Sequence, residues 1–292
     1  MSEFESNGNS SYSGLQAGIS EQLGSLTLRG NYTFSHCLDE VSNGGLLSFS
    51  TQGILSPRPG ELSRQYGSCD YDVRHNISAF GIYQIPFSSP HAALRAVLSG
   101  WSFSETAFFH TGLPFTVLSQ PYTANGNGIF QSSGPQFARR VPGVPLYRKA
   151  AYPGVTEAGT RQWLNPEAFV SAVDPTTGAC TGGDSVASCQ FGDGGRNTVR
   201  GPHFTDSDIY ATKRFRLTER VSLRFDTQFF NAFNHPNFEL PSNVEAGVPG
   251  VHIPAKFGTL EGTVSPPTGL LGVGLGGDSS PRMIAFQARI EF

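Results

Sequence analysis

Apolar and polar residues alternate with a period of two along several stretches of this 292-residue chain, the pattern of strands with one oily and one polar face. Leu26, Leu28, Tyr32 and Phe34 fall on one side of the run 25–38, with Thr27, Arg29, Asn31, Thr33 and Ser35 opposite. In 221–233, Leu223, Phe225 and Phe229 oppose Arg224, Asp226 and Gln228. At the end of the chain Ile284, Phe286, Ala288, Ile290 and Phe292 oppose Gln287, Arg289 and Glu291. The pattern predicts about seven strands, at roughly 11–21, 25–38, 72–86, 98–117, 204–216, 221–233 and 282–292. Several exceed the ~5–6 residues usual in soluble sheets and match the ~9–11 that a tilted strand needs to cross a bilayer. The alternation has exceptions: Glu105 and Lys213 fall on the oily side, Phe80 and Ile82 on the polar side. Lys213 lies near a strand end, from which a long side chain can snorkel.

The connections between these strands alternate in length. Short ones fall at 22–24, 87–97 and 217–220, and long ones, rich in Gly, Pro, Ser and Asn, at 39–71, 118–203 and 234–281. All the short turns lie on one side and all the long loops on the other, the arrangement of outer-membrane barrels, in which the short side is periplasmic. The expected fold is therefore all-β: a portion of an antiparallel transmembrane β-barrel of about seven or eight strands, with an eighth near Phe4 weakly indicated. Seven strands leave two open edges, and each unpaired backbone group in hydrocarbon costs several kcal/mol. Single-chain bacterial barrels also have even strand numbers. Residues 1–292 are thus expected to be part of a longer barrel, a small stand-alone barrel being the alternative. The rivals from other classes are a soluble extracellular β-sandwich that binds carbohydrate and a secreted hydrolase.

Composition narrows these choices. Charged residues make up 15% of the chain, Gly 35 and Pro 20 are abundant, and Phe reaches 23, which suits short turns and aromatic bands better than packed helices. No window holds the ~18 apolar residues of a membrane-spanning helix. A net charge of -3 with no Lys/Arg run excludes a basic nucleic-acid footprint. The start, Met1-Ser2-Glu3-Phe4-Glu5, lacks a charged n-region and an apolar h-region, so no secretory signal is read there.

Candidate chemistry is sparse. Cys37 and Cys69 flank one polar stretch and Cys180 and Cys189 sit in another, which suits loop-closing disulfides in an oxidising compartment. Gly272-Val273-Gly274-Leu275-Gly276-Gly277 matches a dinucleotide fingerprint formally, but Asp278-Ser279-Ser280-Pro281 follows where a helix is needed. Asp193, Asp206 and Asp208 have no EF-hand spacing, and the seven histidines form no metal-ligand motif. No catalytic constellation emerges, so an enzyme, a cofactor and a metal site are not expected. Tyr147, Tyr152, Trp163 and Phe169 could stack against an extracellular ligand such as a glycan or an aromatic chelate. Arg29, Arg74, Arg224 and Arg289, with Asp226 and Glu291, would face the lumen and pair there. Phe286, Ile290 and the terminal Phe292 resemble the signal read by the barrel-assembly machinery, in which an open edge pairs with a template strand.

Six segments carry a family resemblance. They are residues 9–16, residues 29–36, Asp72-Val73-Arg74-His75-Asn76, Trp163-Leu164-Asn165-Pro166-Glu167-Ala168-Phe169, residues 195–202 and, most specifically, Phe229-Phe230-Asn231-Ala232-Phe233-Asn234-His235-Pro236-Asn237-Phe238. In order and over nearly the whole chain they resemble TonB-dependent receptors, particularly the Oar-like group. The resemblance implies an outer-membrane importer with a plug inside a barrel of ~22 strands, drawing energy through TonB. This chain would be the C-terminal segment of such a barrel, with plug, TonB box and signal peptide absent. Its expected partners are outer-membrane lipid, the barrel-assembly machinery, an unknown extracellular ligand and, only through a plug, TonB.

Overall fold

The alternating runs do form strands. In a computed structural model that describes residues 8–40, 42, 62–119, 137–172, 174, 177, 179–181, 192–241, 244–264 and 281–292, seven long strands are β1 (Ser10–Leu23), β2 (Leu26–Asp39), β3 (His75–Gln84), β4 (Trp101–His110), β5 (Phe204–Arg216), β6 (Ser222–Phe230) and β7 (Met283–Glu291). They pair in chain order as one antiparallel meander. The eighth member of this sheet is the short strand Gly67–Ser68, which pairs with the end of β2. It is not a strand near Phe4, which lies outside the described residues. Among the described residues β1 and β7 each keep one edge without a partner, and β1 is exposed along its whole length.

Register keeps one face apolar from strand to strand. Leu15 lies opposite Phe34, Tyr32 opposite Ile77, Ile77 opposite Phe109, Ile209 opposite Phe229 and Phe229 opposite Ile284. The other face carries Arg29, Asn31, Thr106, Asp206, Asp208, Arg224, Asp226 and Gln287, with Phe80 and Ile82 among them as exceptions. A one-residue slip would invert every pair, so the oily face itself fixes the register. Leu15, Ile19, Phe103, Phe225 and Phe286 all remain exposed, as residues whose solvent is lipid should be. A β-sandwich would instead bury such a face against a second sheet.

Both polar intruders on the oily face find partners. Charged side chains at mid-membrane cost about 2–4 kcal/mol for Arg or Lys and less for Asp or Glu. Glu105 sits opposite Gly81 and Ile209, and its carboxylate accepts from the Ser207 hydroxyl at 2.7 Å. Lys213 snorkels as expected, and donates at 2.8 Å to the carbonyl of Val97 and to that of Ser99.

Strand ends are shorter than the alternation predicts. Residues 98–100 do not extend β4, because a short helix α1 (Ala92–Leu98) fills most of the connection from β3, and residues 111–117 do not because Pro114–Phe115 leaves the sheet to pair with Val199–Arg200. Its run Ala92-Ala93-Leu94-Arg95-Ala96 consists of good helix formers. The strand β6 stops at Phe230 because Asn231 and Asn234 take positive φ of 45° and 53°, which no strand tolerates. The β1–β2 turn is the two residues Gly24 and Ser25, with Gly24 at φ 61°, the left-handed geometry that two-residue hairpins require.

The hydrophobic core is not in the sheet but in the long loops. Phe115, Val117, Leu118, Phe137, Val155, Leu164, Ala168, Phe169, Val199, Val244, Ala246 and Phe257 pack into one buried cluster. Four two-stranded ribbons stitch it: Pro114–Phe115 with Val199–Arg200, Leu118–Ser119 with Glu245–Ala246, Arg139–Arg140 with Phe169–Val170, and Arg161–Gln162 with Thr259–Leu260. The second and third long loops thus form a folded cap at one end of the meander, and the first is tied to it by ion pairs.

Candidate functional site

The cap is anchored to the strand ends by two buried ionic knots. Asp72, 2% exposed, accepts from the Cys37 backbone N–H at 2.8 Å and from Arg200 Nη2, with His36 Nδ1 at 3.3 Å and Arg74 Nε at 3.5 Å. Arg200 also donates to the Asp72 carbonyl at 2.7 Å and to Gly112 O at 3.2 Å. Burial pushes the Asp72 carboxyl up, but the Cys37 N–H, Arg200 and His36 outweigh it and hold the group below its ordinary 3.8. In the second knot Arg196 reaches Asp39, the carbonyls of Gln65 and Ser68, and Asp70 at 3.9 Å. Burial raises the Asp70 carboxyl, against the Asn197 hydrogen bond and Arg196, with Asp39 adding to the rise.

These knots surround a disulfide between Cys37 and Cys69. That pair joins the end of β2 to the short strand beside it. Cys180 is disulfide-bonded as well, and Cys189 lies outside the described residues, as does the glycine run 272–277.

A third anchor comes from asparagines. Asn231 Oδ1 accepts from His235 N–H at 2.9 Å and its Nδ2 donates to His235 O at 2.9 Å, closing the turn after β6. Asn237, fully buried, pairs in the same way with the backbone of Thr205 in β5. Beside it His203 meets His235 at 5.5 Å and Phe109 at 5.9 Å, while His110 stacks on Phe204 at 5.1 Å. Burial, then His235 and His110, lower the His203 pKa from 6.5.

The aromatic candidates separate. Tyr147 is 44% exposed and meets Trp163 edge-on at 5.3 Å; its hydroxyl accepts from the Arg200 N–H at 3.0 Å, and Trp163 Nε1 donates to Arg200 O at 3.0 Å. Tyr152 packs against the core, with Arg148 over its ring at 5.3 Å. Phe169 corrects the expectation of a ligand-facing ring: it is 3% exposed, held against Phe257 at 6.3 Å and under Arg140 at 5.6 Å. An aromatic residue in a polar loop reads as surface until the loop proves to have a core. The segment Trp163 to Phe169 turns on Asn165, whose side chain accepts from the Glu167 N–H at 3.3 Å.

Polar residues on the lumen-side face pair with each other. Arg224 holds Asp226 at 2.9 Å, Thr212 donates to Asp226 at 2.6 Å, and Arg214 meets Glu291 at 2.9 Å. Arg74 belongs to the Asp72 knot instead. Asp193 is drawn away from Asp206 and Asp208, accepting from the Arg140 N–H at 3.3 Å. Among the described residues no three His, Cys, Asp or Glu converge as a metal set. At the chain end, Phe286 is 79%, Ile290 56% and Phe292 96% exposed, on or just past the open-edged β7. Sequence reading missed Arg196, Arg200, Asp70 and Asp39; the acids clustered around Cys37 and Cys69 were the available signal.

Comparison with known proteins adds one match. The family described as Outer membrane beta barrel domain matches residues 1–270. No curated protein and no solved structure matches.

Proposed function

Because this chain belongs to the outer membrane beta barrel domain family and so resides in the bacterial outer membrane, we propose that it forms barrel wall and outward loops of a TonB-dependent receptor, importing a ligand from outside the cell. One observation carries the reading. The segments that resemble that group contribute the residues that knit the cap: Asp72, Leu164, Phe169, Arg196, Arg200, Asn231 and Asn237. In this reading those motifs serve to fold the long outer loops of such receptors. The open edge of β1 and that of β7 fit a wider barrel with strands beyond these. In this reading a plug, contributed by further sequence, is what meets TonB, and the role is not catalytic. Tyr147, Tyr152 and Trp163 are the ring surfaces offered to ligand, while Phe286, Ile290 and Phe292 present the edge to the barrel-assembly machinery.

The test uses the native gene with all its coding sequence. Cells with and without it, each with and without TonB, are given labelled ferric chelates and oligosaccharides. Accumulation that needs both the gene and TonB supports the proposal. Gene-dependent accumulation that ignores TonB would favour a small passive barrel.

A further inference from the structure

Helix α1 stands apart from the rest of the short-turn side, where the other two connections are tight. We propose that α1 lies in the plane of the periplasmic leaflet, its apolar face sunk among phospholipid acyl chains. Leu94, Val97 and Leu98 are spaced three and four apart, so they share one helical face, and they are 48%, 62% and 42% exposed. Arg95, three residues before Leu98, flanks that face, and Ala96 lies opposite it. No residue of α1 is buried by the protein.

What covers that face follows from how the helix is tied down. Trp101 Nε1 donates to Val97 O at 2.9 Å, and Lys213 Nζ donates to the same carbonyl at 2.8 Å and to Ser99 O. Trp101 and Lys213 are paired neighbours on the oily face of the sheet, and the Lys213 ammonium rests 5.2 Å over the Trp101 ring and 4.9 Å over that of Phe215. The last turn of α1 is therefore capped by lipid-facing residues at the level where aromatic girdles meet headgroups. An ammonium at a helix C-terminus also satisfies carbonyls that lack intrahelical partners. The connection is held close by Gly100, where a Cβ would come within 2.5 Å of Arg214 O. The apolar face of α1 thus continues the oily face of the barrel wall, and Arg95 at the flank of that face is placed to snorkel to headgroup phosphates. The inference rests on the membrane placement and not on the identity of any transported ligand.

Nitroxide labels at Leu94→Cys, Val97→Cys and Ala96→Cys test it in the full-length protein, disulfides intact, reconstituted in phosphatidylethanolamine and phosphatidylglycerol vesicles. Collision rates with oxygen, which enters lipid, are compared with those of a water-soluble nickel chelate. Labels at Phe103→Cys and Glu219→Cys give the lipid and water references, and gel mobility before and after heating confirms each barrel. Oxygen-dominated collisions at positions 94 and 97, with nickel-dominated collisions at 96, support the proposal. Nickel dominance at all three puts α1 in the periplasm and overturns it. Low collision with both probes at 94 and 97 means that protein covers the face, and overturns it too.

Discussion

Asn237 pairs with the backbone of Thr205 as a neighbouring strand would: its Oδ1 accepts from the Thr205 N–H and its Nδ2 donates to the Thr205 carbonyl, both at 2.9 Å. One side chain thereby extends β5 pairing after β6 has turned away. Replacing it by alanine orphans two backbone groups, at about 1–3 kcal/mol each where buried. Asn237→Ala is expected to lower the urea midpoint of the folded barrel in detergent, while Phe233→Ala, whose side chain is 73% exposed, leaves it unchanged. Equal midpoints for Asn237→Ala and wild type would contradict this role.

Arg196 is the only cation that the described contacts place against both Asp39 and Asp70. Arg196→Ala leaves two carboxylates under the cap, and breaking a buried pair costs about 3–5 kcal/mol. The first loop is expected to become sensitive to protease in intact cells. Adding Asp39→Asn removes one stranded charge and should restore part of the resistance. A double variant no better than the single would rule the ionic account out.

Acid acts on the two knots with opposite signs. The depressed Asp72 contributes stability that is complete above its unfolded value near 3.8 and is lost as pH falls through the lower folded value. The raised Asp70 penalises the folded state at neutral pH, a penalty relieved as pH falls through its folded value toward 3.8. Trp163, bonded to Arg200 O, reports the first knot by fluorescence. Its emission should hold down to about pH 4 and shift below it, and Asp72→Asn should abolish that shift. A wild-type shift centred well above 3.8 would exclude Asp72 as its source.

Phe292 extends past β7 almost fully exposed. If its ring is read during assembly, Phe292→Lys should cut the amount of heat-modifiable barrel several-fold in cells and leave refolding from urea into detergent micelles unaffected. Loss in both settings would assign Phe292 to stability instead.

The meander was legible because alternation is local: each strand declares its own oily face, and the residues of β2, β6 and β7 that alternate in sequence are the ones that share faces in space. Glu105 was opaque because its partner Ser207 comes from a strand far along the chain. Helix α1 was missed because seven residues hold too little periodicity to separate a helix from a turn. The cap was hidden for a further reason. Phe137, Leu164 and Phe257 each sit among Gly, Pro and polar residues, and only their meeting makes a core. The asparagine anchors depend on left-handed φ at Asn231 and Asn234, which side-chain identity permits but does not dictate.

The cap has a consequence for anything that meets the cell from outside. Its surface is assembled from stretches separated by whole transmembrane strands, so a phage fibre or an antibody that grips it touches several distant parts of the chain at once. Such an epitope exists only in the folded molecule. A peptide copied from one loop lacks the ribbons formed with the others, and serum raised against that peptide would recognise denatured protein on a blot while passing over the living cell.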